Sequence, residues 1–294
     1  MNKIHKSAGE HVFDVFNTIF LFLLMLITLY PLLYVLFASL SSPSSLARHQ
    51  GLLFGPKDFT LSAYHAVRQN PMILRGYLNT LLIVVFGTAI NLAMTSLGAY
   101  VLSRHHLPYK RFMNMFVMFT MFFSGGLIPG YLVVSNLGML DTYWALLLPG
   151  AISTYNMIVM RTSFESVPSS LEESALLDGA NELTVLMRII LPLSMPVVAV
   201  MLLFYGVEHW NSWFGAMIYL RTRAKYPLQL ILREILIEND MNNMMTDIGS
   251  LDKEPVGETI KYATIVVATI PILCVYPFLQ KYFTKGMTVG AVKE

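Results

Sequence analysis

The chain has few charged residues. Asp, Glu, Lys and Arg make up 13% of its 294 residues, whereas 55% of the residues are hydrophobic. A soluble domain carries about 25% charged residues. The few charges are confined to short stretches, which leave long apolar runs between them. This composition excludes a soluble globule and predicts an all-α membrane protein with several spans.

Several chemical signatures are also missing. The single cysteine, Cys274, stands in an apolar run, which excludes a disulfide framework. No G-x-x-x-x-G-K-[ST] sequence occurs, so the chain does not bind ATP through a P-loop. The H-E-x-x-H and G-x-S-x-G patterns of metallopeptidases and serine hydrolases are absent as well. We therefore expect no catalytic residue, no metal site and no cofactor in this chain.

Six apolar segments are long enough to cross a bilayer, whose core of ~30 Å requires about 20 helical residues. Lys3 and Lys6 precede the first segment, as in a signal peptide, but its apolar run is too long for one. We therefore expect the first segment to be retained as a span. The predicted spans cover about residues 16–40, 79–102, 112–134, 143–160, 193–220 and 262–283.

The two shortest loops determine the predicted orientation. Loop 103–111 contains Arg104, Lys110 and Arg111, whereas loop 135–142 contains no Lys or Arg. Because cytoplasmic loops are enriched in Lys and Arg, we expect the first loop and both termini to be cytoplasmic. The predicted organisation is an N-terminal helix with an external loop (1–78), a transmembrane core (79–283) with a second external loop (221–261), and a cytoplasmic tail (284–294).

The cytoplasmic segment between the fourth and fifth spans contains local signals for two short helices. Pro168 precedes an S-x-x-E sequence from Ser170 to Glu173, which predicts a capping box at the start of the first helix. Gly179 is placed to end that helix in the left-handed conformation. Asn181 is placed to cap the second helix. The two helices are therefore predicted to meet at an angle on the cytoplasmic face.

This segment resembles the cytoplasmic signature E-A-A-x3-G-x9-I-x-L-P of permease subunits in binding-protein-dependent ABC importers. The match runs from Glu173 through Gly179 to Pro192 with the same spacing, and Ser174 in place of Ala is the one departure. An ordinary interfacial helix, the alternative, requires neither this spacing nor the glycine. Three further stretches resemble the carbohydrate-uptake branch that imports complex oligosaccharides in Gram-positive bacteria: F-S-G-G-L-I-P-G-Y (123–131), E-H-W-N-S-W-F (208–214) and K-Y-F-T-K-G-M-T-V-G-A-V-K (281–293).

The resemblance implies a type I ABC importer permease fold with six transmembrane helices. It also implies four kinds of partner: a second permease subunit, two ATPase subunits that carry ATP and magnesium, an extracytoplasmic sugar-binding lipoprotein and an oligosaccharide cargo. We expect the chain to dock an ATPase through Glu173, Ser174, Ala175, Asp178 and Gly179. The external loop 221–261, which mixes basic and acidic residues, is expected to be a solvated surface that contacts the binding protein.

Polar side chains within the spans predict a cargo path, because polar groups in hydrocarbon tend to face a cavity or a partner. Aromatic faces, amides and carboxylates suit sugars. The predicted lining consists of Glu208, Trp210 and Asn211 with Tyr155 and Asn156. Interfacial anchoring or bonding between helices is the alternative, and we favour it for Asn91 and Trp213. A broken helix at residues 124–126 would free backbone groups to line the same cavity.

Two other functions compete with a permease. An ion-coupled secondary transporter would place carboxylates in relay positions inside the spans, but Glu208 is the one acid well inside a span. A membrane-embedded enzyme would need converging acid and base groups, and the sequence indicates none. A non-catalytic ABC importer subunit in the cell membrane is therefore the leading interpretation.

Overall fold

The computed structural model describes residues 8–104, 106–246 and 256–291, and every regular element in these ranges is a helix. The predicted all-α class is therefore confirmed. The chain divides into two compact units, which are Met1–Asn70 with Glu234–Thr269 and Pro71–Arg233 with Ile270–Glu294.

The first unit begins with a long apolar helix, α1 (Ala8–Ser39), which starts before the predicted first span. Two short helices follow in the predicted external loop, α2 (Pro43–Arg48) and α3 (Ser62–Gln69). Ala38, Leu46 and Leu53 form a small buried core. Most large apolar side chains of α1 are exposed, as expected for a helix that is covered by lipid or by another subunit.

The second unit is built around α4 (Pro71–Ser103), which is packed against α8 (Thr154–Glu165) and α12 (Met195–Asn211). The buried core joins residues of all three helices, including Tyr100, Met160 and Tyr205. Glycines permit the close approach: a Cβ at Gly98 would lie 2.6 Å from the Met157 sulfur. Small residues at helix contacts are typical of membrane bundles.

Two predicted spans are sharply bent. The third consists of α5 (Lys110–Phe122) and α6 (Leu127–Asn136), which meet at 107° around Gly126. The fifth continues from α10 (Glu182–Val185) through a π-helical turn at 186–190 and α11 (Leu191–Leu193), and bends by 88° into α12. By length and composition, two described helices can cross a membrane, or up to four if each bent pair is one span.

The predicted fourth span, 143–160, is not one continuous helix. It contains the short helix α7 (Trp144–Leu147), and α8 begins only at Thr154. Pro149 and Gly150 lie in the break. Proline lacks the N–H that a continuing helix requires, and glycine weakens a helix further. The apolar composition suggested a span, but these two residues end the helix.

The remaining elements are α13 (Phe214–Tyr219), a 3-10 turn (Arg223–Lys225), α14 (Leu228–Thr246) and α15 (Val256–Ala291). The interpretation of segment 221–261 as a solvated surface is wrong at the start of α14, because Leu228, Leu230 and Ile231 are buried. These apolar side chains are buried, whereas the flanking charged side chains remain accessible. Residues 247–255 of this segment lie outside the described residues. The predicted sixth span lies within α15, whose apolar part is Thr259–Val275.

Candidate coupling loop and translocation path

The segment that resembles the permease signature forms two helices joined by a tight turn. The first, α9 (Ser169–Leu177), ends at Gly179, whose φ is +85°. The N–H of Gly179 bonds to the Leu176 carbonyl at 3.0 Å, and that of Ala180 bonds to the Ala175 carbonyl at 2.9 Å. This pair of bonds is a Schellman motif, which satisfies the last carbonyls of a helix. The predicted left-handed turn is confirmed.

The start of the second helix is also as predicted. The Asn181 side chain accepts a hydrogen bond from the Thr184 N–H at 2.8 Å and caps α10. The capping box on the first helix is wrong, because no side chain caps α9 and Pro168 occupies its N-cap position. Ser170 lies inside the helix, where its backbone is helical and its hydroxyl is not placed to cap the first turn.

The predicted docking residues lie on an accessible surface of this turn. Glu173, Ser174, Asp178 and Gly179 are exposed, whereas Ala175 packs partly on the core. Sequence reasoning missed Leu177, which is 89% exposed beside them. Leu177 therefore adds an apolar side chain to this accessible surface.

Residues 169–185, which comprise α9, the turn and α10, are called the coupling segment. A cluster of four polar side chains, the α4 clamp, ties this segment to the end of α4 and consists of Tyr100, Arg104, Glu172 and Glu182. Arg104 forms an ion pair with Glu172 of α9. The Tyr100 hydroxyl donates a hydrogen bond to Glu182 of α10. The Arg104 guanidinium lies over the Tyr100 ring, 4.4 Å from its centroid. Both short helices are therefore held by residues at the C-terminal end of α4. The sequence carries no local signal for these contacts, whose partners lie 68 and 82 residues apart.

A second polar cluster lies between α4 and α12. The Asn91 amide donates to the Gly150 carbonyl at 2.6 Å, and its oxygen lies 2.6 Å from His209 Nε2. The Thr95 and Tyr205 hydroxyls are 2.7 Å apart. The interpretation that Asn91 bonds a neighbouring helix is therefore confirmed. The break before α8 provides this acceptor, because the Gly150 carbonyl there is free from helical hydrogen bonding and accepts from Asn91.

The predicted path residues differ in their accessibility. Glu208 and Asn211 are exposed at the end of α12, and Tyr155 is 54% exposed at the start of α8. Trp210 is only 7% exposed, and its ring is packed edge-on against Tyr77 at 6.0 Å.

The fifth path residue, Asn156, is 5% exposed. Trp210 and Asn156 are thus packed within this unit, whereas Glu208, Asn211 and Tyr155 present accessible groups. Ser124, Gly125 and Gly126, at the break in the third span, are exposed as well.

Asp141 organises the loop between α6 and α7, at the other end of the unit. Its backbone is left-handed, with φ of 56°. Its carboxylate accepts from the backbone N–H groups of Arg221 at 3.0 Å and Thr222 at 2.9 Å. It also accepts from the Thr222 hydroxyl at 2.7 Å and from Lys225 Nζ at 2.9 Å. The Thr222 and Lys225 contacts hold the pKa of Asp141 below its ordinary range.

Asn79 holds the same loop from the side of α4. Its amide donates to the carbonyls of Ala224 and Tyr226, both at 2.9 Å. Its oxygen accepts from the Tyr143 hydroxyl at 2.9 Å. Residues 221–226 are therefore fixed by side chains from two other parts of the unit, a feature that sequence reasoning missed.

Known proteins resemble this chain over its whole length. The family described as binding-protein-dependent transport system inner membrane component matches residues 2–289. Protein LplC of Bacillus subtilis (strain 168) is 45% identical over 293 residues, which are 100% of this chain and 99% of LplC. The polygalacturonan/rhamnogalacturonan transport system permease protein YtcP of the same strain is 44% identical over 285 residues, covering 97% of this chain and 99% of YtcP.

Solved structures agree with this similarity. A bacterial ABC transporter involved in the import of the acidic polysaccharide alginate has a chain that matches with a TM-score of 0.87 and 34% identity, over 96% of this chain and all of that one. A chain of a bacterial alginate ABC transporter, in complex with its pentasaccharide-bound periplasmic protein, matches with a TM-score of 0.58 and 15% identity. The second likeness supports the fold alone.

Proposed function

Since this chain belongs to the family of binding-protein-dependent transport system inner membrane components, we propose that it forms half of the translocation path of an ATP-driven importer of oligosaccharides. One structural observation carries the proposal, an exposed pair of short helices that the α4 clamp attaches to the long central helix. Gly179 makes the turn after the first helix, and Asn181 caps the second. A surface of this kind can pass motion from a bound subunit to the spans. An ion-coupled mechanism has no support from the similar proteins.

The ATPase is a separate subunit in this proposal, because the chain contains no P-loop. The docking surface consists of Glu173, Ser174, Asp178 and Gly179, together with the exposed Leu177. Ala175 supports the surface from below, since it packs on the core. The chain itself is non-catalytic and carries no cofactor, and ATP and magnesium bind to the ATPase.

An oligosaccharide of acidic sugars is the cargo that we propose. Among the similar proteins, YtcP is named as a permease for polygalacturonan and rhamnogalacturonan. The 34% identical structure is that of a transporter involved in alginate import. Exposed Glu208, Asn211 and Tyr155 would contact sugar hydroxyls on the path, whereas Trp210 and Asn156 would shape its wall. Contacts on a path must be weak enough to release what they bind.

The remaining partners complete the importer. A second permease subunit would supply the other half of the path, and an extracytoplasmic sugar-binding lipoprotein would deliver the cargo. Segment 221–226, held by Asp141 and Asn79, is a preformed surface for that lipoprotein. In this arrangement both termini and the coupling segment are cytoplasmic.

Affinity purification of the membrane-extracted complex tests the docking surface. The parent chain is expected to bring down a second permease and an ATPase. The amount of ATPase recovered with the double variant Glu173→Lys/Asp178→Lys should fall at least about tenfold, because charge reversal at an interface costs several kcal/mol. The amount of the second permease should stay the same. The matched control is Glu10→Lys, an exposed acid on α1. ATPase recovery that is unchanged in the doubly reversed chain would refute the docking role.

A further inference from the structure

A cavity of about 630 Å³, which is open to the surface, lies where α5 begins and α8 ends, on the side of the short basic loop. It is outside the coupling segment and the predicted path residues. Its lining combines basic and amide side chains with two methionines: Lys110, Arg111, Asn114, Met115, Met118 and Arg161.

The cavity carries an excess of positive charge. Lys110 Nζ lies 2.9 Å from one oxygen of Glu165, and Arg161 Nε lies 3.8 Å from the other. Arg111 is exposed, and no described residue forms an ion pair with it. The lining therefore has three cations, and one carboxylate, that of Glu165, is paired with two of them. The first turn of α5, whose unpaired N–H groups favour negative charge, lies at the same place.

Two residues of the lining each have a buried polar atom without a hydrogen-bond partner among the described residues. These atoms are Arg161 Nε, a donor, and Asn114 Oδ1, an acceptor. Buried polar groups are nearly always paired, so each of these atoms leaves a hydrogen-bonding position that a ligand could fill. The donor suits an anionic oxygen, and the acceptor suits a hydroxyl. A ligand that carries both groups side by side would satisfy both atoms.

The other half of the cavity is apolar. Met115 and Met118 are exposed along α5, a helix with no buried residue in this chain. Flexible thioether side chains adapt to irregular apolar ligands. Cations at the end of a span, followed by an apolar wall toward the membrane interior, match the two halves of a lipid. An acidic sugar would use the cations and leave the methionines uncovered.

We propose that this cavity binds an anionic phospholipid of the phosphatidylglycerol type. The phosphate contacts Lys110, Arg111 and Arg161, and a glycerol hydroxyl donates to Asn114 Oδ1. An acyl chain runs along Met115 and Met118. Basic pockets between transmembrane helices are known to hold acidic lipid headgroups. The bound lipid would brace the junction of α5 and α8, close to the coupling segment.

Native mass spectrometry of the intact complex tests the proposal. The complex is equilibrated in mixed micelles that contain equal amounts of phosphatidylglycerol and phosphatidylcholine, and the retained lipids are counted. The parent should retain phosphatidylglycerol preferentially. Arg111→Gln should lower that preference by about fivefold, the usual contribution of one cation near an anionic headgroup. Arg75→Gln, which removes the same charge from an exposed position near the start of α4, should leave it unchanged.

Folding and cargo are controlled separately. Arg111 is exposed and forms no ion pair with a described residue, so Arg111→Gln should unfold at the parental temperature in pure phosphatidylcholine. Phosphatidylglycerol should then raise the unfolding temperature of the parent more than that of the variant. Equal retention of the two lipids by the parent would overturn the proposal. Displacement of phosphatidylglycerol by soluble galacturonate oligomers would also overturn it, because the cavity would then belong to the cargo.

Discussion

Two residues with left-handed backbone hold the loops at the two ends of α4. Gly179, with φ of +85°, makes the turn of the coupling segment. Asp141, with φ of 56°, gathers residues 221–225. Gly179 could be predicted from the sequence, because a glycine that follows an apolar stripe is a helix stop signal. Asp141 could not, because its partners lie 80 and more residues away.

Gly179 provides a test that separates backbone strain from a steric clash of the added side chain. A Cβ at this position would meet no atom within 4 Å, so only the positive φ opposes a side chain. Gly179→Ala should therefore cost about 1–2 kcal/mol, whereas Gly179→Asn should cost less because asparagine tolerates this conformation. We expect the alanine variant to transport severalfold less sugar per ATP hydrolysed, with the asparagine variant closer to the parent. Equal transport stoichiometry in all three chains would contradict this account.

Asp141 provides a test by hydrogen exchange. Asp141→Asn removes the charge that accepts from the Arg221 and Thr222 N–H groups. Exchange of these two amides should accelerate by roughly tenfold, because charge-assisted bonds are the stronger ones. Asp58→Asn, in the other unit, should leave their exchange unchanged.

The same contact has a defined pH dependence. Because the pKa of Asp141 is lowered on folding, its contribution to stability is present above the ordinary aspartate pKa and is lost only as the pH falls through the lowered value. Protection of the Arg221 and Thr222 amides, corrected for intrinsic exchange rates, should therefore be the same at about pH 5 and pH 8. Loss of protection between these two pH values would show that another group controls the loop.

The helices differ in how much of their arrangement is local. The Schellman turn after α9 and the Asn181 cap of α10 are made by neighbours in sequence, and both were predicted. The α4 clamp joins α4 to α9 and α10 over long sequence separations, and it was not predicted. The clamp converts two short helices, which would be marginal alone, into one body with the central helix.

Exchange of the two charges tests the clamp. Arg104→Glu or Glu172→Arg alone should lower the sugar transported per ATP, because α9 could then move without α4. Arg104→Glu with Glu172→Arg should restore part of the loss, with a coupling energy of about 1 kcal/mol for a partly exposed pair. The measurement is ATP hydrolysis and uptake in one preparation, together with thermal unfolding. A double variant no better than the sum of its singles would refute the pairing.

Across the whole chain, composition predicted the helical membrane class and the spacing of one motif predicted the coupling segment. Continuity of the spans was predicted less well. Apolar content alone placed one span over 143–160, although Pro149 and Gly150 interrupt it. Trp210 was predicted to line the path from its polar neighbours, yet its ring is packed on Tyr77. Burial of this kind depends on a contact between α4 and α12 that no short stretch of sequence encodes.

Membrane orientation remains a prediction from the charges of two short loops. Single cysteines replace the exposed residues Ser44, Asn136 and Ser169 in a Cys274→Ser background. An impermeant thiol reagent added to intact cells should label the first two positions and spare the third until the membrane is opened. Labelling of position 169 in intact cells would reverse the orientation and remove the coupling segment from the reach of an ATPase.

Uptake into proteoliposomes tests the central claim most directly. The complete complex is reconstituted without an ion gradient, with ATP and magnesium inside and with the sugar-binding protein and labelled galacturonate oligomers outside. We predict accumulation of the sugar that requires both the internal ATP and the binding protein, and that falls severalfold in the Gly179→Ala complex. Accumulation driven by an imposed ion gradient in the absence of ATP would contradict the account.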